Sequence, residues 1–256
     1  MKAETRVAIV TGASSGLGVA IARTLASSGW TVGLVARRRE RLEELAREIR
    51  EGGGRAIVVA GDLRDGAFAA RAVDSVVAET GRLDLLVNNA GAPTRVVTQG
   101  PAGEVPDAVF DDAFALNVRA AYRLSHAALP HLEKTRGSIV SVSSSGVSRN
   151  LPMDLVYLTS KGALEVMTRG MARKWAPRGV RVNVVSPGMI PTEILQAAGL
   201  SDEEGKAELA RARKAFQPLP VDGRPQDIGQ AVAYLGSEAA SFITGATLHV
   251  LSLIHI

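Results

Sequence analysis

The chain has 256 residues, 46% of them hydrophobic, with no cysteine and a formal net charge of +4. This length suits one large domain with a sizeable core, and the lack of cysteine excludes disulfides and thiol catalysis. Neither an apolar run long enough to span a membrane nor a signal peptide is found, so we expect a cytoplasmic protein. Basic residues alternate with Glu and Asp along predicted helices, which argues against nucleic-acid binding.

Apolar runs and helical patterns alternate along the whole chain. Strands are predicted at 6–10, 31–36, 56–60, 83–87, 137–142, 180–185 and 246–250. Helices are predicted at 16–28, 38–52, 66–80, 108–133, 155–176 and 226–238. This alternation predicts an α/β fold, a doubly wound parallel sheet of about seven strands with helices on both faces. We expect residues 1–250 to form a single domain.

A glycine-rich turn joins the first predicted strand to the first helix. Its spacing is Gly-x-x-x-Gly-x-Gly rather than the commoner Gly-x-Gly-x-x-Gly. Glycines let the backbone approach a pyrophosphate, and the helix N-terminus offers N–H groups and partial positive charge. An ordinary glycine turn is the alternative, but the strand and helix on either side favour a nucleotide site in a Rossmann-like sheet. The predicted phosphate-binding residues are Gly12, Ser14, Ser15, Gly16, Leu17 and Gly18.

Tyr157 and Lys161 are four residues apart in a predicted helix, and Ser144 lies thirteen residues before Tyr157. Positions i and i+4 share a helix face, so the phenol and the ammonium should be neighbours. A cation ~4–5 Å from the phenol, at an effective dielectric constant of ~20, would stabilise a phenolate by roughly 3–4 kcal/mol. We therefore expect Lys161 to lower the pKa of Tyr157 from about 10 by about two to three, making it an acid–base catalyst.

These motifs make the chain resemble the short-chain dehydrogenase/reductase family in its compact form, from Arg6 to about Val250. The motifs occur in the family's order, as Thr11 to Gly18, Asp62-Leu63, Asn88 to Gly91, Asn117, Ser144, Tyr157 with Lys161, and Pro187-Gly188 with Thr192. The resemblance implies hydride transfer between a nicotinamide and a carbonyl or alcohol carbon.

The resemblance also implies roles for the catalytic residues. Tyr157 exchanges the hydroxyl proton, Lys161 lowers its pKa and holds the nicotinamide ribose, and Ser144 hydrogen-bonds the substrate oxygen. Asn117 helps to hold a water that links Lys161 to solvent, although its amide could instead satisfy a kinked helix. Ser143 is the fallback for Ser144, because several serines crowd this strand end.

The end of the second strand predicts NADP rather than NAD. Family members that prefer NAD carry an acidic residue there, where this chain has Ala36 followed by Arg37 and Arg38. A guanidinium can pair with a 2′-phosphate, and the missing carboxylate removes a repulsion. Many NADP-using relatives carry a further basic residue in the glycine loop, where Ser15 stands. The alternative is that the two arginines only begin an exposed helix.

Further cofactor contacts are implied after the third and fourth strands. The Asp62 carboxylate would accept from the adenine amino group, with Leu63 behind the ring. Asp62 could also cap the helix that follows. Asn89, Ala90 and Gly91 would let the backbone pass close to the cofactor, and asparagines there could instead tie neighbouring strands together.

The segment after the sixth strand is expected to complete the cofactor site and to cover the substrate. Pro187, Gly188, Ile190 and Thr192 would meet the carboxamide, although a Pro-Gly pair forms a turn in any case. The long insertion at about 187–225, with a helix at 201–216, suggests a substrate lid, the alternative being a surface helical hairpin. Candidate substrate-pocket residues are Pro93, Thr94, Leu151, Met153, Val156, Met189 and Ile190.

The last six residues, Leu251 to Ile256, depart from the family pattern. Relatives continue with Asp-Gly-Gly, whereas this string matches the translation of a transposon end used in sequencing libraries. We expect residues 251–256 to be non-native.

Three functions are consistent with these patterns. The favoured one is an NADP(H)-dependent ketone reductase or alcohol dehydrogenase acting on a neutral or apolar small molecule, with 3-oxoacyl-thioester reduction included. The others are a non-catalytic nucleotide-binding regulator and a sugar-nucleotide epimerase or dehydratase, whose longer chains and different glycine spacing fit less well. No metal site is predicted. By resemblance we expect a homotetramer built through the helices at 108–133 and 155–176.

Overall fold

A computed structural model describes residues 5–94, 104–149, 154–193, 199–216 and 218–252. Seven strands form one sheet. They are β1 (Val7–Thr11), β2 (Thr31–Ala36), β3 (Arg55–Ala60), β4 (Leu85–Asn88), β5 (Ser138–Val142), β6 (Arg181–Pro187) and β7 (Thr247–Val250). Every pairing is parallel and the strand order is β3-β2-β1-β4-β5-β6-β7. The predicted doubly wound α/β fold is confirmed.

Helices connect the strands across both faces of the sheet. They are α1 (Gly16–Ser27), α2 (Arg39–Glu51), α3 (Phe68–Thr80), α4 (Asp107–Phe114), α5 (Ala120–Thr135), α6 (Gly146–Arg149), α7 (Leu155–Trp175), α8 (Asp202–Phe216) and α9 (Pro225–Gly236). A π-helical turn, Ala115–Arg119, joins α4 to α5. Two single 3₁₀ turns, Ala176–Arg178 and Glu238–Ala240, lie before β6 and β7.

Each face of the sheet has its own hydrophobic core. On one face the sheet packs against α1, α2 and α9, which contribute Ile21, Leu42 and Val232. On the other face it packs against α3, α5 and α7, where Leu124 and Trp175 are buried. Because both faces are covered, the strands are continuous apolar runs, which is why apolar runs located them in the sequence.

The order in which strands are added to the sheet changes side between β1 and β4: β2 and β3 extend it to one side of β1, and β4 to β7 extend it to the other. β1 pairs with β2 on one side and with β4 on the other. In open parallel sheets, ligands bind in the crevice outside the carboxyl ends of the strands at such a switch point. The predicted site residues follow the carboxyl ends of β1 to β6, so the topology brings together residues far apart in sequence.

Most predicted elements end within two residues of the observed ones, one prediction needs correction, and one observed helix was not predicted. The single helix expected at 108–133 is instead α4, the π-helical turn and α5, which continues to Thr135. The short helix α6 was not expected at all, because four residues are too few to show a period. The helix expected at 201–216 is found as α8. Within the described ranges, none of the helices has the length and apolar character required to cross a bilayer.

Candidate active site

A cleft of about 980 Å³ opens at the carboxyl edge of the sheet. Its walls include residues predicted to contact the adenosine end of the expected cofactor and residues predicted to contact its nicotinamide end. The predicted cofactor-binding residues that line it are Gly12, Ser14, Ser15, Gly16, Leu17, Arg37, Arg38, Asp62, Leu63, Asn89, Ala90, Gly91, Tyr157, Lys161 and Thr192. The cleft therefore runs from the ends of β2 and β3, past the glycine turn, to the N-terminal turns of α7.

The glycine turn leaves room that side chains would fill. Gly12 and Gly16 have φ of +68° and +53°, a region that favours glycine. A Cβ on Gly18 would stand 2.1 Å from the carbonyl oxygen of Gly12. The Ser15 side chain does not cap α1, so the first-turn N–H groups keep the capacity to bind an anion. This geometry fits a dinucleotide pyrophosphate.

Thr11 and Asn89 join the ends of β1 and β4 beside this turn. The Thr11 hydroxyl donates to the Val87 carbonyl at 3.0 Å and accepts from the Asn89 and Ala90 amides at 3.0 Å each. The Asn89 side chain donates to the Thr11 carbonyl at 2.8 Å. Asn89 thus has the strand-tying role weighed above, while also lining the cleft.

Asp62 lies at the wall of the cleft beyond β3, held by Arg64. Its Oδ1 accepts from the Arg64 backbone at 3.0 Å and from the guanidinium at 3.3 Å. Helix α3 begins only at Phe68 and follows Ala67, so Asp62 does not cap it. Arg64 also contacts Asp112 of α4. The carboxylate is therefore oriented before any adenine would reach it.

The two arginines after β2 differ in their surroundings. Arg38 turns back to the glycine turn, and its guanidinium donates to the Ser14 hydroxyl at 3.1 and 3.2 Å. The Arg37 side chain is 66% exposed and lies 4.0 Å from Asp62. Arg37 therefore keeps a guanidinium at the cleft wall, whereas Arg38 fastens α2 to the turn.

The catalytic candidates meet where α7 begins. Tyr157 is 7% exposed and Lys161 is 3% exposed. The Ser144 side chain lies near the phenol and lowers its pKa. The Lys161 ammonium donates to the Val142 carbonyl at 2.9 Å and lies 5.7 Å from the centre of the Tyr157 ring. The structure therefore brings Ser144, Tyr157 and Lys161 together.

The predicted effect of Lys161 on Tyr157 is wrong for this structure. Burial raises the pKa of the Tyr157 phenol above its usual value, the Asp154 carboxylate raises it further, and the hydrogen bond with Ser144 lowers it. Burial also lowers the pKa of Lys161 to about 8. The estimate of a stabilised phenolate counted the attraction between the two groups and omitted the cost of taking both from water. At neutral pH the phenol is protonated.

The two candidate serines have different partners. The Ser143 hydroxyl donates to Oε1 of Glu165 at 2.6 Å. Ser144, the residue in contact with the phenol, accepts from the Gly146 amide at 3.3 Å. Ser143 lines the cleft, whereas Ser144 contacts the phenol, so the two features expected of a substrate-facing hydroxyl are divided between the two serines.

Asn117 occupies the π-helical turn and is almost fully buried. Its Oδ1 accepts from the Ala92 amide at 3.0 Å, and its Nδ2 donates to the Ala92 carbonyl at 3.1 Å and the Ser160 hydroxyl at 2.9 Å. The amide therefore fixes the loop after β4 to α7 instead of satisfying its own helix. A Cβ on Gly91 would stand 2.9 Å from Nζ of Lys161 and 3.1 Å from Oδ1 of Asn117.

The segment after β6 only partly matches its prediction. The Pro187 carbonyl accepts from Ser145 at 2.9 Å, and the Gly188 amide donates to Val250 at 3.0 Å. Ile190 is buried in the core, so only its backbone remains available to a cofactor. Thr192 lies over Gly16.

The predicted substrate-pocket residues are divided. Pro93 lines the cleft, whereas Thr94, Val156, Met189 and Ile190 are not among the residues of its wall. Leu151 and Met153 lie outside the described residues.

One carboxylate that organises the site, that of Asp154, was not among the predicted residues. Asp154 precedes α7, and its Oδ1 accepts from the Tyr157 amide at 2.9 Å, while its Oδ2 accepts from the Thr94 amide. An aspartate three residues before Tyr157 is a standard N-cap signal, so it could have been found. Its second bond, to the loop after β4, is long-range and has no local signature.

Comparisons with known proteins agree with this geometry. The model of the family described as enoyl-(acyl carrier protein) reductase matches residues 12–251. An A-factor type gamma-butyrolactone 1'-reductase of Streptomyces virginiae is 36% identical, over 96% of this chain and 93% of that one. A 4-formylbenzenesulfonate dehydrogenase of Comamonas testosteroni is also 36% identical, over 98% of each chain. A 3-ketoacyl-(acyl-carrier-protein) reductase from Brucella melitensis, solved with NADH, is 30% identical over 99% of both chains, with a TM-score of 0.87.

The chain belongs to the short-chain dehydrogenase/reductase family. Members of this family are oxidoreductases that act on CH–OH and C=O groups with NAD(P)(H). The glycine turn with the uncapped helix behind it, and the cleft leading to Tyr157, fit a nicotinamide dinucleotide.

The burial of Lys161 predicts a pH dependence of stability. Its pKa of about 8 in the folded protein lies below the ordinary 10.5, so the folded state binds this proton more weakly than the unfolded state. Stability should rise by about 2 kcal/mol between pH 7 and 9.5, and should be lost again as the pH falls through 8. Urea unfolding at both pH values measures this.

The matched variants are Lys161→Met and Lys174→Met. Lys174 is exposed on the same helix, so its variant should keep the parental pH dependence, whereas Lys161→Met should lose about 2 kcal/mol of it. Equal pH dependence in all three proteins would contradict the assignment.

Proposed function

We propose that the protein is an NADP(H)-dependent oxidoreductase that interconverts a neutral or apolar ketone and its secondary alcohol, with 3-oxoacyl thioesters among the candidate substrates. The observation that carries this is the contact of the Tyr157 phenol with Ser144 beside the buried Lys161, whose Nζ is 5.7 Å from the centre of the phenol ring. This group lies at one end of the cleft, and Arg37 lies at the other end. A nucleotide-binding regulator would need the cleft but not this proton-transfer set.

The chemistry of such a reduction divides between cofactor and protein. The nicotinamide supplies the hydride when the cofactor is bound. Ser144 donates a hydrogen bond to the carbonyl oxygen and stabilises the negative charge that develops there. Tyr157, protonated at neutral pH, gives its proton to that oxygen. Lys161 stands beside the phenol as the next group on the proton route, and Asn117 fixes Ala92 and Ser160 around it.

The substrate class is inferred from the walls near Tyr157. Pro93, Leu116 and Val142 line this end of the cleft. These walls are apolar, and Lys161, the cation there, is buried and engaged with a backbone carbonyl. This favours uncharged reacting groups. We propose that the segment at about 187–225, of which residues 194–198 and 217 lie outside the described residues, acts as the substrate lid, since Asp202 at the start of α8 lines the same cleft.

Removing the phenol hydroxyl tests the reaction class. Tyr157→Phe should lower kcat by about 10²–10⁴-fold with a panel of ketones, aldehydes and 3-oxoacyl thioesters, because the proton donor is lost. NADPH binding, followed by cofactor fluorescence, should be retained. Tyr234→Phe, an exposed tyrosine on α9, should behave like the parent.

A paired serine experiment identifies the substrate-facing hydroxyl in the same assay. Ser144→Ala should lose most of the turnover, whereas Ser143→Ala should keep it. Absence of turnover in a parent that binds NADPH would instead favour the regulator.

The cofactor preference depends on Arg37. Arg37→Ala should raise the Kd of NADPH by about 10-fold and leave that of NADH unchanged, because charge-assisted bonds to the 2′-phosphate are lost. Arg39→Ala is the matched control, since Arg39 is similarly exposed but pairs with Glu43 on α2. An unchanged NADPH/NADH ratio in Arg37→Ala would refute the NADP proposal, and the NADH-bound Brucella relative makes this a real test.

We also propose a homotetramer built through α4, α5 and α7. Large apolar side chains on these helices are exposed in the single chain, namely Phe110, Tyr122, Leu155 and Val166, with exposures of 42–63%. Self-association would remove them from water. Sedimentation velocity should give a species of four chains, and a monomer at micromolar concentration would refute this assembly.

A further inference from the structure

Glu193 carries a carboxylate into the arginine-rich end of the cleft. It lies just after Thr192, on the segment that follows β6, and lines the cleft together with Arg37 and Arg38. Both of its carboxylate oxygens accept from Nη1 of Arg41, at 3.0 and 3.2 Å. Arg41 lies in the first turn of α2. A contact across 152 residues therefore ties the cofactor-side helix to the segment beside the glycine turn.

The Glu193 carboxylate acts on Arg38 as well as on Arg41. Burial lowers the pKa of Arg38, the neighbouring Arg41 lowers it further, and Glu193 raises it. Arg38 is engaged with Ser14, and Arg37 points along the cleft wall beside Asp62. Glu193 thus pairs with Arg41 and acts on the charge of Arg38, while Arg37 lines the same end of the cleft beside Asp62.

We propose that Glu193 is a cofactor-specificity residue, whose carboxylate serves as the internal counter-ion of Arg41 and Arg38 and weakens the binding of a 2′-phosphate at this end of the cleft, where Arg37 also lies. The proposal deepens the proposed function, since it concerns the same cofactor site. In this proposal Arg37 strengthens the binding of the 2′-phosphate and the Glu193 carboxylate weakens it. The phosphate must therefore either displace the carboxylate or bind close to it despite the repulsion.

The energetics allow such a competition. The Arg41 and Glu193 side chains are 47% and 57% exposed, and exposed ion pairs contribute little to stability, so the pair can open. A fixed negative charge within one Debye length of a phosphate dianion still weakens its binding measurably at low salt. Neutralising Glu193 should therefore strengthen phosphate binding by about 3- to 10-fold, and the gain should shrink as salt is added.

The experiment compares Glu193→Gln with the parent in fluorescence titrations of NADPH and NADH at low and high salt. The variant should bind NADPH about 3- to 10-fold more tightly at low salt, with NADH binding unchanged. Glu193→Asp keeps the charge and should show no gain. Glu48→Gln is the matched control, because Glu48 also pairs with an exposed arginine, its Oε2 accepting from Nε and Nη2 of Arg23, but lies at the far end of α2.

The inference is overturned if Glu193→Gln binds NADPH no better than the parent, or if NADH binding rises equally. It is also overturned if Glu48→Gln gives the same gain. The parental titration separates this result from the cofactor proposal. A parent that prefers NADH refutes NADP preference, yet a selective gain in Glu193→Gln would still establish the opposing carboxylate.

Discussion

The junction between the carboxyl ends of β1 and β4 is the contact on which the site depends. At this point Thr11 and Asn89 satisfy each other's backbone groups, and the glycine turn passes so close that a Cβ on Gly18 would stand 2.8 Å from the Asn89 side chain. The crevice opens there because the strand order changes side. If β1 and β4 separated at this junction, the glycine turn would move relative to α7. The two ends of the cleft would then be too far apart, or wrongly oriented, for a single ligand to contact both.

Desolvation, more than attraction between charges, governs the catalytic end. Tyr157 and Lys161 are both buried, so the structure favours the neutral phenol and weakens the basicity of the amine. Asp154 reinforces this by placing a carboxylate at the start of α7 and by holding the loop after β4. The site therefore holds a proton on the Tyr157 oxygen beside the Ser144 hydroxyl, which is the protonation state that the proposed carbonyl reduction requires.

Local patterns in the sequence were enough to predict the strands, the glycine turn and the Tyr157–Lys161 pair, because these depend on burial, backbone freedom and helical spacing. The π-helical turn was not predictable, since Ala115 to Arg119 have an ordinary helical sequence pattern and only the folded backbone shows the turn. The sign of the Tyr157 pKa shift was also wrong, because burial cannot be read from an i, i+4 spacing. Long-range pairs such as Arg41 with Glu193 leave no pattern in the local sequence, so they could be identified only from the three-dimensional structure.

The π-helical turn also sets how the side-chain faces of α4 and α5 are rotated about the helix axis relative to each other. An α-helix advances about 100° per residue, so the additional residue in a π turn displaces the faces of α4 and α5 relative to a continuous helix. The stacked Phe110 and Phe114 precede the turn, and the buried Leu124 follows it. A one-residue deletion between Ala115 and Arg119 would rewind the helix and rotate one surface against the other. A deletion or insertion next to Asn117 would therefore change which side chains of α4 and α5 face the same way, and not only the length of the helix.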